Sequence, residues 1–598
     1  MNSETKNCQN CKQPFTIEPE DFNFYEKIKV PPPTWCWQCR AMRRMSFYNM
    51  RYLYSRTCAA TGKKIFTTLP PDSPIPPYDY DYWVSDAWDP MQYGRDYDFS
   101  KPFFEQMREL FHVVPWNLQW GPSVNSDYGM TGYSKNCYLC FDSGYLEDSA
   151  YSVTLHDSKQ CLDMVNCQYC ELCYYCINCN NCYKTFFSRD CTACTDVWFS
   201  ENCSGCMNCF GCTGLRSKNY YIFNEPYSKE AYAAKLEELQ IGTWSGLLRA
   251  KERFEKLRKQ NPVKYRHSVQ TKDCTGDYMY NAAELRNCFF AGNAQNCINC
   301  QSIIYGPIKD SVDLTSSGPH AELNYETIGC GPNVSRLRFS YYSMSTTGSE
   351  YIIGCTQSSD LFGCVGIRSK KYCILNKPYS KEEYGALVDK IKKHMADMPY
   401  IDAGGRVYSY GEFFPPDMSP WGYNETQAQE YFPLERDDIE KQGFRWREFE
   451  KRIYSVTKKA SELPDRIEDA GDKLLEEVIQ CAHEEKNDHP WGCGSSCPTA
   501  FRLTREELQF YRQMHLPLPR MCFNCRHFER IAWRNKPHLW HRSCHCAGEK
   551  SANGVYANTS IHPSHAKGEP CPNEFETSYA PERPEIVYCE TCYQSEVA

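Results

Sequence analysis

Four cysteine pairs, two at each end of the chain, constrain this sequence more than any other feature. Near the N-terminus Cys8-x2-Cys11 is followed by Cys36-x2-Cys39; near the C-terminus Cys493-x3-Cys497 is followed by Cys522-x2-Cys525. The two blocks are copies. At an offset of 486 residues Phe15 meets Phe501, Phe24-Tyr25 meets Phe510-Tyr511, and Pro31 and Pro33 meet Pro517 and Pro519. Cys36, Cys39 and Arg40 meet Cys522, Cys525 and Arg526, and the register runs on through Leu53, Arg56 and Cys58 to Leu539, Arg542 and Cys544. A Cys-x2-Cys knuckle lets two thiolates reach one ion from a tight turn, and two knuckles complete a tetrahedral sulfur shell. Such a closed shell of soft ligands suits structural Zn²⁺, with iron as the lesser alternative. Four metal-free buried thiols would be the bland explanation, and knuckles paired at both ends argue against it.

The chain holds 38 cysteines in 598 residues. No basic region followed by an apolar stretch opens the sequence, and no apolar run approaches the roughly 18 residues of a membrane helix. The expectation is a cytoplasmic chain with reduced thiols and no membrane partner, so metal ligation or packing explains the cysteines and a disulfide scaffold does not. Charged residues make up 24% and hydrophobic ones 41%, a globular balance. A net charge of −8 excludes a general nucleic-acid sponge but leaves local basic patches open.

The last 60 or so residues carry a second ribbon with five thiols for four places: Cys544, Cys546, Cys571, Cys589 and Cys592. Either Cys544 or Cys546 supplies the fourth ligand, and His562 and His565 are further candidates. The matching N-terminal stretch keeps Cys58 but has Thr61 where a partner would stand, so that copy is expected to have lost its metal. About three zinc ions per chain follow from this reading.

The motif of an acidic stretch, Phe-Tyr, prolines and a closing Cys-x2-Cys-Arg appears twice, as Phe24-Tyr25…Cys36-Trp-Gln-Cys39-Arg40 and Phe510-Tyr511…Cys522-Phe-Asn-Cys525-Arg526. In these residues the chain resembles a bacterial zinc-ribbon family of unknown role. The tail from Thr577 to Tyr593 is similar to the closing ribbon of large Cys-rich proteins from uncultivated bacterial lineages. The resemblance covers about a quarter of the chain; it implies metal binding and is silent on activity. The three-residue gap of Cys493-x3-Cys497 departs from the usual two.

A second duplication occupies the middle. Phe210-Gly-Cys212-Thr-Gly-Leu-Arg216-Ser-Lys218 recurs as Phe362-Gly-Cys364-Val-Gly-Ile-Arg368-Ser-Lys370, and Pro226-Tyr-Ser-Lys-Glu230 recurs as Pro378-Tyr-Ser-Lys-Glu382. Each copy predicts a helix capped by the Ser of Tyr-Ser-Lys-Glu. The preceding stretches are rich in Tyr, Cys, Thr and Asn, with nine Asn-Cys dipeptides between Asn136 and Cys300. Asn tolerates left-handed turns and Cys is among the most buried residues, which suits an inward-turning corner. Intervals of 24, 21 and 21 residues between Cys137, Cys161, Cys182 and Cys203 predict one solenoid rung each. The expected fold is mixed and β-rich: terminal zinc ribbons flank two tandem short β-solenoid-like modules with capping helices. The expected divisions are a ribbon module at 1–70, a packing segment at 71–130, solenoid modules at 131–262 and 263–400, a connector with charged helices at 401–480, and a double ribbon at 481–598.

Cys167, Cys170, Cys173, Cys176, Cys179 and Cys182 fall every third residue, as do Cys203, Cys206, Cys209 and Cys212. Such runs resemble ferredoxin ligand runs, so an iron–sulfur redox protein is one alternative. The terminal three-residue gap and Cys-Pro are missing, and a buried thiol ladder is the preferred reading. No Gly-x-Ser-x-Gly, His-Glu-x2-His, phosphate-loop or zinc-deaminase pattern occurs, and no catalytic residue is assigned. Arg40, Arg43, Arg44 and Arg51 follow the first ribbon, and Arg526, Arg530 and Arg534 follow its duplicate, interleaved with aromatics. These seven are candidate phosphate contacts for RNA or a nucleoprotein assembly. The competing explanations are internal pairing with the acidic excess, and a scaffold binding a protein partner.

Overall fold

Between Tyr133 and Asp163 every third residue is left-handed, with φ between 50° and 58°, and Asn136, Asp142, Asp148, Asp157 and Asp163 hold five of these positions. The left-handed region costs an ordinary L-residue about 1–2 kcal/mol, and Asn and Asp tolerate it best. A parallel backbone ladder offsets that cost. Tyr138 bridges Ala150, Ala150 bridges Leu162, and Glu147 bridges Lys159. The structure is a computed structural model that describes residues 2–165, 174, 183–303, 305–449, 453–490 and 492–597.

The same ladder continues through strands Tyr183–Phe186, Thr195–Trp198, Met207–Phe210 and Asn219–Ile222. Thr195 pairs with Met207, and Met207 with Asn219. The pairing step is therefore twelve residues, which corrects the expected 21 to 24. Cys137 and Cys161 lie two such steps apart, so the wider cysteine spacing reflects side-chain choice and not the pairing step. Asn202, Gly205, Asn208 and Gly211 are left-handed, and the residues that follow them, Cys203, Cys206, Cys209 and Cys212, are fully buried. Asn side chains join successive steps, as in Asn136 Nδ2 donating to Asp148 Oδ1 at 2.8 Å and Asn287 Nδ2 to Asn299 Oδ1 at 2.8 Å.

The chain divides into two compact units, each made of two segments distant in sequence. One is Met1–Leu118 with Arg266–Arg447; the other is Gln119–Tyr265 with Glu448–Ala598. Each terminal arm thus shares a unit with the module farther from it in sequence order than the serial divisions suggest: the N-terminal arm with the second module, the C-terminal arm with the first.

In the first unit a 13-stranded sheet runs from Ser268–Lys272 to Lys377–Pro378. Its parallel register steps by twelve at Met279↔Ala291 and Ser359↔Lys371. It widens by a residue or two at Cys297↔Ser311 and Tyr325↔Arg338. Each ladder ends in a short antiparallel pair and then the expected helix. Ser228 Oγ accepts from Ala231 N before helix Lys229–Leu239, and Ser380 and Glu383 form a capping box at helix Lys381–Asp397.

The expected charged helices between Leu434 and Glu477 are mostly absent among the described residues. Helix Arg436–Lys441 is followed by 3₁₀ turns at Ala460–Glu462, Ile467–Asp469 and Asp472–Leu475. Gly443, with φ of 77°, ends the helix, and Pro464 separates two of the turns. Among the described residues no helix is long and apolar enough to cross a membrane.

Candidate metal centres

In the first ribbon, hairpin Glu4–Asn7/Pro14–Ile17 presents Cys8 and Cys11 at its turn. Cys36 caps helix Trp37–Met45, and Cys39 lies in the helix's first turn. The four sulfurs lie within 4.8 Å of one another, and Cys11 and Cys36 are 3.8 Å apart. Tetrahedral geometry at about 2.3 Å per Zn–S bond requires edges of about 3.8 Å. The helix N-terminus adds a positive end to the thiolates.

The C-terminal copy differs from the expectation in its grouping. Cys481 stands with Cys497, Cys522 and Cys525 in the four-thiol group where Cys493 was expected. Hairpin Ile479–Gln480/Ala500–Phe501 places Cys481 directly after its first strand, as Cys8 follows Glu4–Asn7. Cys481 and Cys525 are 3.7 Å apart, and Cys497 and Cys522 3.9 Å. Cys493 belongs to a separate group with His483, His489 and again Cys525. His483 Nδ1 and His489 Nδ1 lie 3.3 and 3.5 Å from its sulfur. The Cys493 thiol is held down to about 5, chiefly by the Cys525 sulfur and then by the two imidazoles, against the opposing effect of burial.

The last ribbon resolves its five thiols in the same way. Hairpin Trp540–Ser543/Glu574–Thr577 and helix Glu590–Val597 bring Cys544, Cys571, Cys589 and Cys592 together. Cys546 joins His562, His565 and again Cys592. Cys546 Sγ lies 3.2 Å from His562 Nδ1 and 3.4 Å from His565 Nε2. A cavity of about 250 Å³ opens beside these histidines, lined also by Asn558 and Lys567.

The fourth ribbon holds no four-ligand group among the described residues. Hairpin Tyr54–Thr57/Lys64–Thr67 brings Cys58 and Thr61 to the turn. Asp79 donates its N–H to Cys58 Sγ at 3.3 Å, as Cys589 does to Cys544 at 3.2 Å. Thr61 Oγ1 then donates to Asp79 Oδ2 at 2.7 Å. A hydroxyl–carboxylate hydrogen bond closes the knuckle where the copies have sulfur.

No family model, curated protein or solved structure matches this chain.

The candidate phosphate contacts lie inside the units. Arg40, Arg43, Arg44, Arg51, Arg526 and Arg530 are all buried, and the half-buried Arg534 also has a partner. Arg40 pairs with Asp313 at 2.8 Å, and Arg44 with Glu326 at 2.7 Å. Arg43 spans Glu326 at 2.8 Å and Glu412 at 2.7 Å. Arg51 lies 3.6 Å from Glu430. In the other unit Arg526 and Arg530 reach Asp163 at 2.8 and 3.0 Å. Burial pushes the Asp313 carboxyl up to about 6 despite Arg40 and Arg44 beside it. Burial also opposes the Glu326 carboxylate, but Arg43, Arg44 and Arg40 together hold it below its usual range. A guanidinium enclosed with a carboxylate cannot also grip a phosphate, so assigning phosphate contacts to these buried arginines is corrected. Arg40, Arg43, Arg44, Arg526 and Arg530 dock the two knuckle helices onto the ladders. Three cations in the segment 249–266 are likewise paired: Lys251 with Glu529, Arg258 with Glu585, and Lys264 with Glu590.

The run from Cys167 to Cys182 lies outside the described residues. In the run from Cys203 to Cys212 each sulfur donates to the carbonyl two residues back, at 3.3 to 3.5 Å. Ser200 Oγ does the same at 2.9 Å one step earlier. Cys481, His483 and His489 escaped the sequence reading. A cysteine directly after a short strand, as at Cys8, was the available signal for Cys481.

Proposed function

We propose that this chain is a zinc-stapled, non-catalytic binding scaffold. In this reading the two parallel ladders are β-solenoids with twelve-residue turns, and each arm is a pair of ribbons docked on one of them. The observation that carries it is the burial of the ribbon arginines against ladder carboxylates: the basic helices are spent on internal assembly. Closed four-thiol shells without an open position suit structural Zn²⁺ better than a catalytic ion. The resemblance of the Phe-Tyr…Cys-x2-Cys-Arg motifs to bacterial zinc ribbons supports the same ion. The ligand is then a protein partner held by exposed ladder surface, because RNA binding would have to use cations other than these arginines.

Two measurements test this. Elemental analysis of anaerobically purified protein should find zinc and no iron, with no visible absorption. Pulldowns should survive nuclease and high salt. Iron with sulfide would replace the scaffold by a redox reading, and nuclease-sensitive capture with a steep salt dependence would restore RNA.

A further inference from the structure

Cys525 and Cys592 each belong to two ligand groups at once. The two cases arise in different loops, the 482–496 and 545–570 segments, yet have the same composition: five cysteines and two histidines around one shared sulfur. In both, the shared residue closes a Cys-x2-Cys knuckle in the first turn of a helix. We propose that each C-terminal ribbon holds a thiolate-bridged pair of divalent metal ions. Cys525 bridges an ion on Cys481, Cys497 and Cys522 to a second on His483, His489 and Cys493. Cys592 bridges an ion on Cys544, Cys571 and Cys589 to a second on Cys546, His562 and His565. The proposal rests on the zinc reading of the four-thiol shells and adds two ions to it.

The geometry suits ligation. Cys525 and Cys493 sulfurs are 3.5 Å apart, and Cys592 Sγ lies 3.6 Å from His565 Nε2. Both are near the edge lengths expected for zinc at about 2.3 Å from sulfur and about 2.0 Å from nitrogen. The histidines are also oriented as ligands are, with the other ring nitrogen engaged. His562 turns Nδ1 inward while its Nε2 meets the buried Glu596 carboxylate at 2.7 Å. His565 turns Nε2 inward while its Nδ1 meets Ala566 O at 3.1 Å. His489 Nε2 lies 3.6 Å from Glu484.

Charge favours the pair. One divalent ion with four thiolates carries a formal charge of about −2, whereas two ions with five thiolates carry about −1, and buried net charge is costly. The first ribbon supplies an internal control. Cys39 matches Cys525 in the duplication, but Asn10 Nδ2 donates to Cys39 Sγ at 3.4 Å, and among the described residues no histidine joins that group. There the sulfur accepts from an amide instead of facing a second set of ligands.

The test is metal stoichiometry of the full-length chain by elemental analysis and native mass spectrometry. Five ions per chain are expected. His562→Ala should remove one, and Cys592→Ser should remove two. Three ions in the wild type, with none lost in His562→Ala, would overturn the bridged pairs and leave the zinc reading intact; no bound metal would sink both. Should the variants not fold, ¹¹³Cd loading of the wild type decides. Two pairs of resonances coupled through sulfur support the bridges, and five uncoupled singlets overturn them.

Discussion

Arg526 shows how a surface-seeking residue type becomes a core residue. Its guanidinium faces Asp163 and, at 3.4 Å, Glu507, and all three are nearly without solvent exposure. Removing one member of such a group strands the other charge at a cost of about 3–5 kcal/mol. Arg526→Ala should therefore lower the unfolding free energy by about that much in a urea titration. A loss below about 1 kcal/mol would show the pair to be solvated. Glu585 makes a pH-dependent case. Arg583 approaches it at 2.6 Å and Arg258 at 3.3 Å. Burial opposes its ionisation, but these two cations hold its carboxyl down to about 2. A depressed carboxyl stabilises the fold above its unfolded pKa, and that contribution is lost as pH falls from about 4.5 toward 2. Glu585→Gln should cost up to about 3 kcal/mol at pH 7. The difference from the wild type should shrink to about half by pH 3 and nearly close at about pH 2, measured by urea unfolding at pH 7, 3 and 2; a constant difference would refute the assignment.

At the scale of elements, the four ribbons share a hairpin, a knuckle and a helix start, and differ in what closes the knuckle. Cys36→Ser should release one metal ion, and Cys58→Ser none, because Thr61 and Asp79 already close that turn without metal. Elemental analysis of the two proteins distinguishes them. The thiols of the ladder are different in kind. Cys209 donates to Met207 O at 3.3 Å from a fully buried position, so Cys209→Ser, which keeps a donor there, should leave the metal content unchanged. Metal lost from that variant would move the run from Cys203 to Cys212 into the ligand set. The period of three was visible in the sequence, and so was the Asn-Cys pairing of a left-handed residue with a buried one. The strand offset of twelve was not, because it is set by which parallel strands pair, and no side chain records that number.

For the whole molecule, the units decide which fragments can stand alone. Residues 119–447 contain one of the two segments of each unit. They would leave Asp313, Glu326 and Asp163 buried without Arg40, Arg44 and Arg526. That fragment should be insoluble or unfolded. Residues 1–118 should instead co-purify with residues 266–447 when the two are expressed separately, and not with residues 119–265. A monomeric, cooperatively folding 119–447 fragment would contradict this division.

The duplicated ribbons, the capped helices after each ladder and the membership of eleven of the thirteen expected thiols in four-thiol groups follow from local chemistry. Knuckle spacing, Ser caps and Asn turns act over a few residues, so the sequence alone determines them. Long-range placement decided the rest. Cys481 takes the place expected for Cys493 in the four-thiol group because a hairpin joins residues some twenty apart. Two sulfurs are shared because separate loops fold back on one helix turn. The arginines lie inside because carboxylates more than a hundred residues away meet them in the core, where an unpaired charge would be too costly to leave. A basic, aromatic stretch is the same string of letters whether it faces phosphate or Asp163, and only the packing of distant segments selects between them.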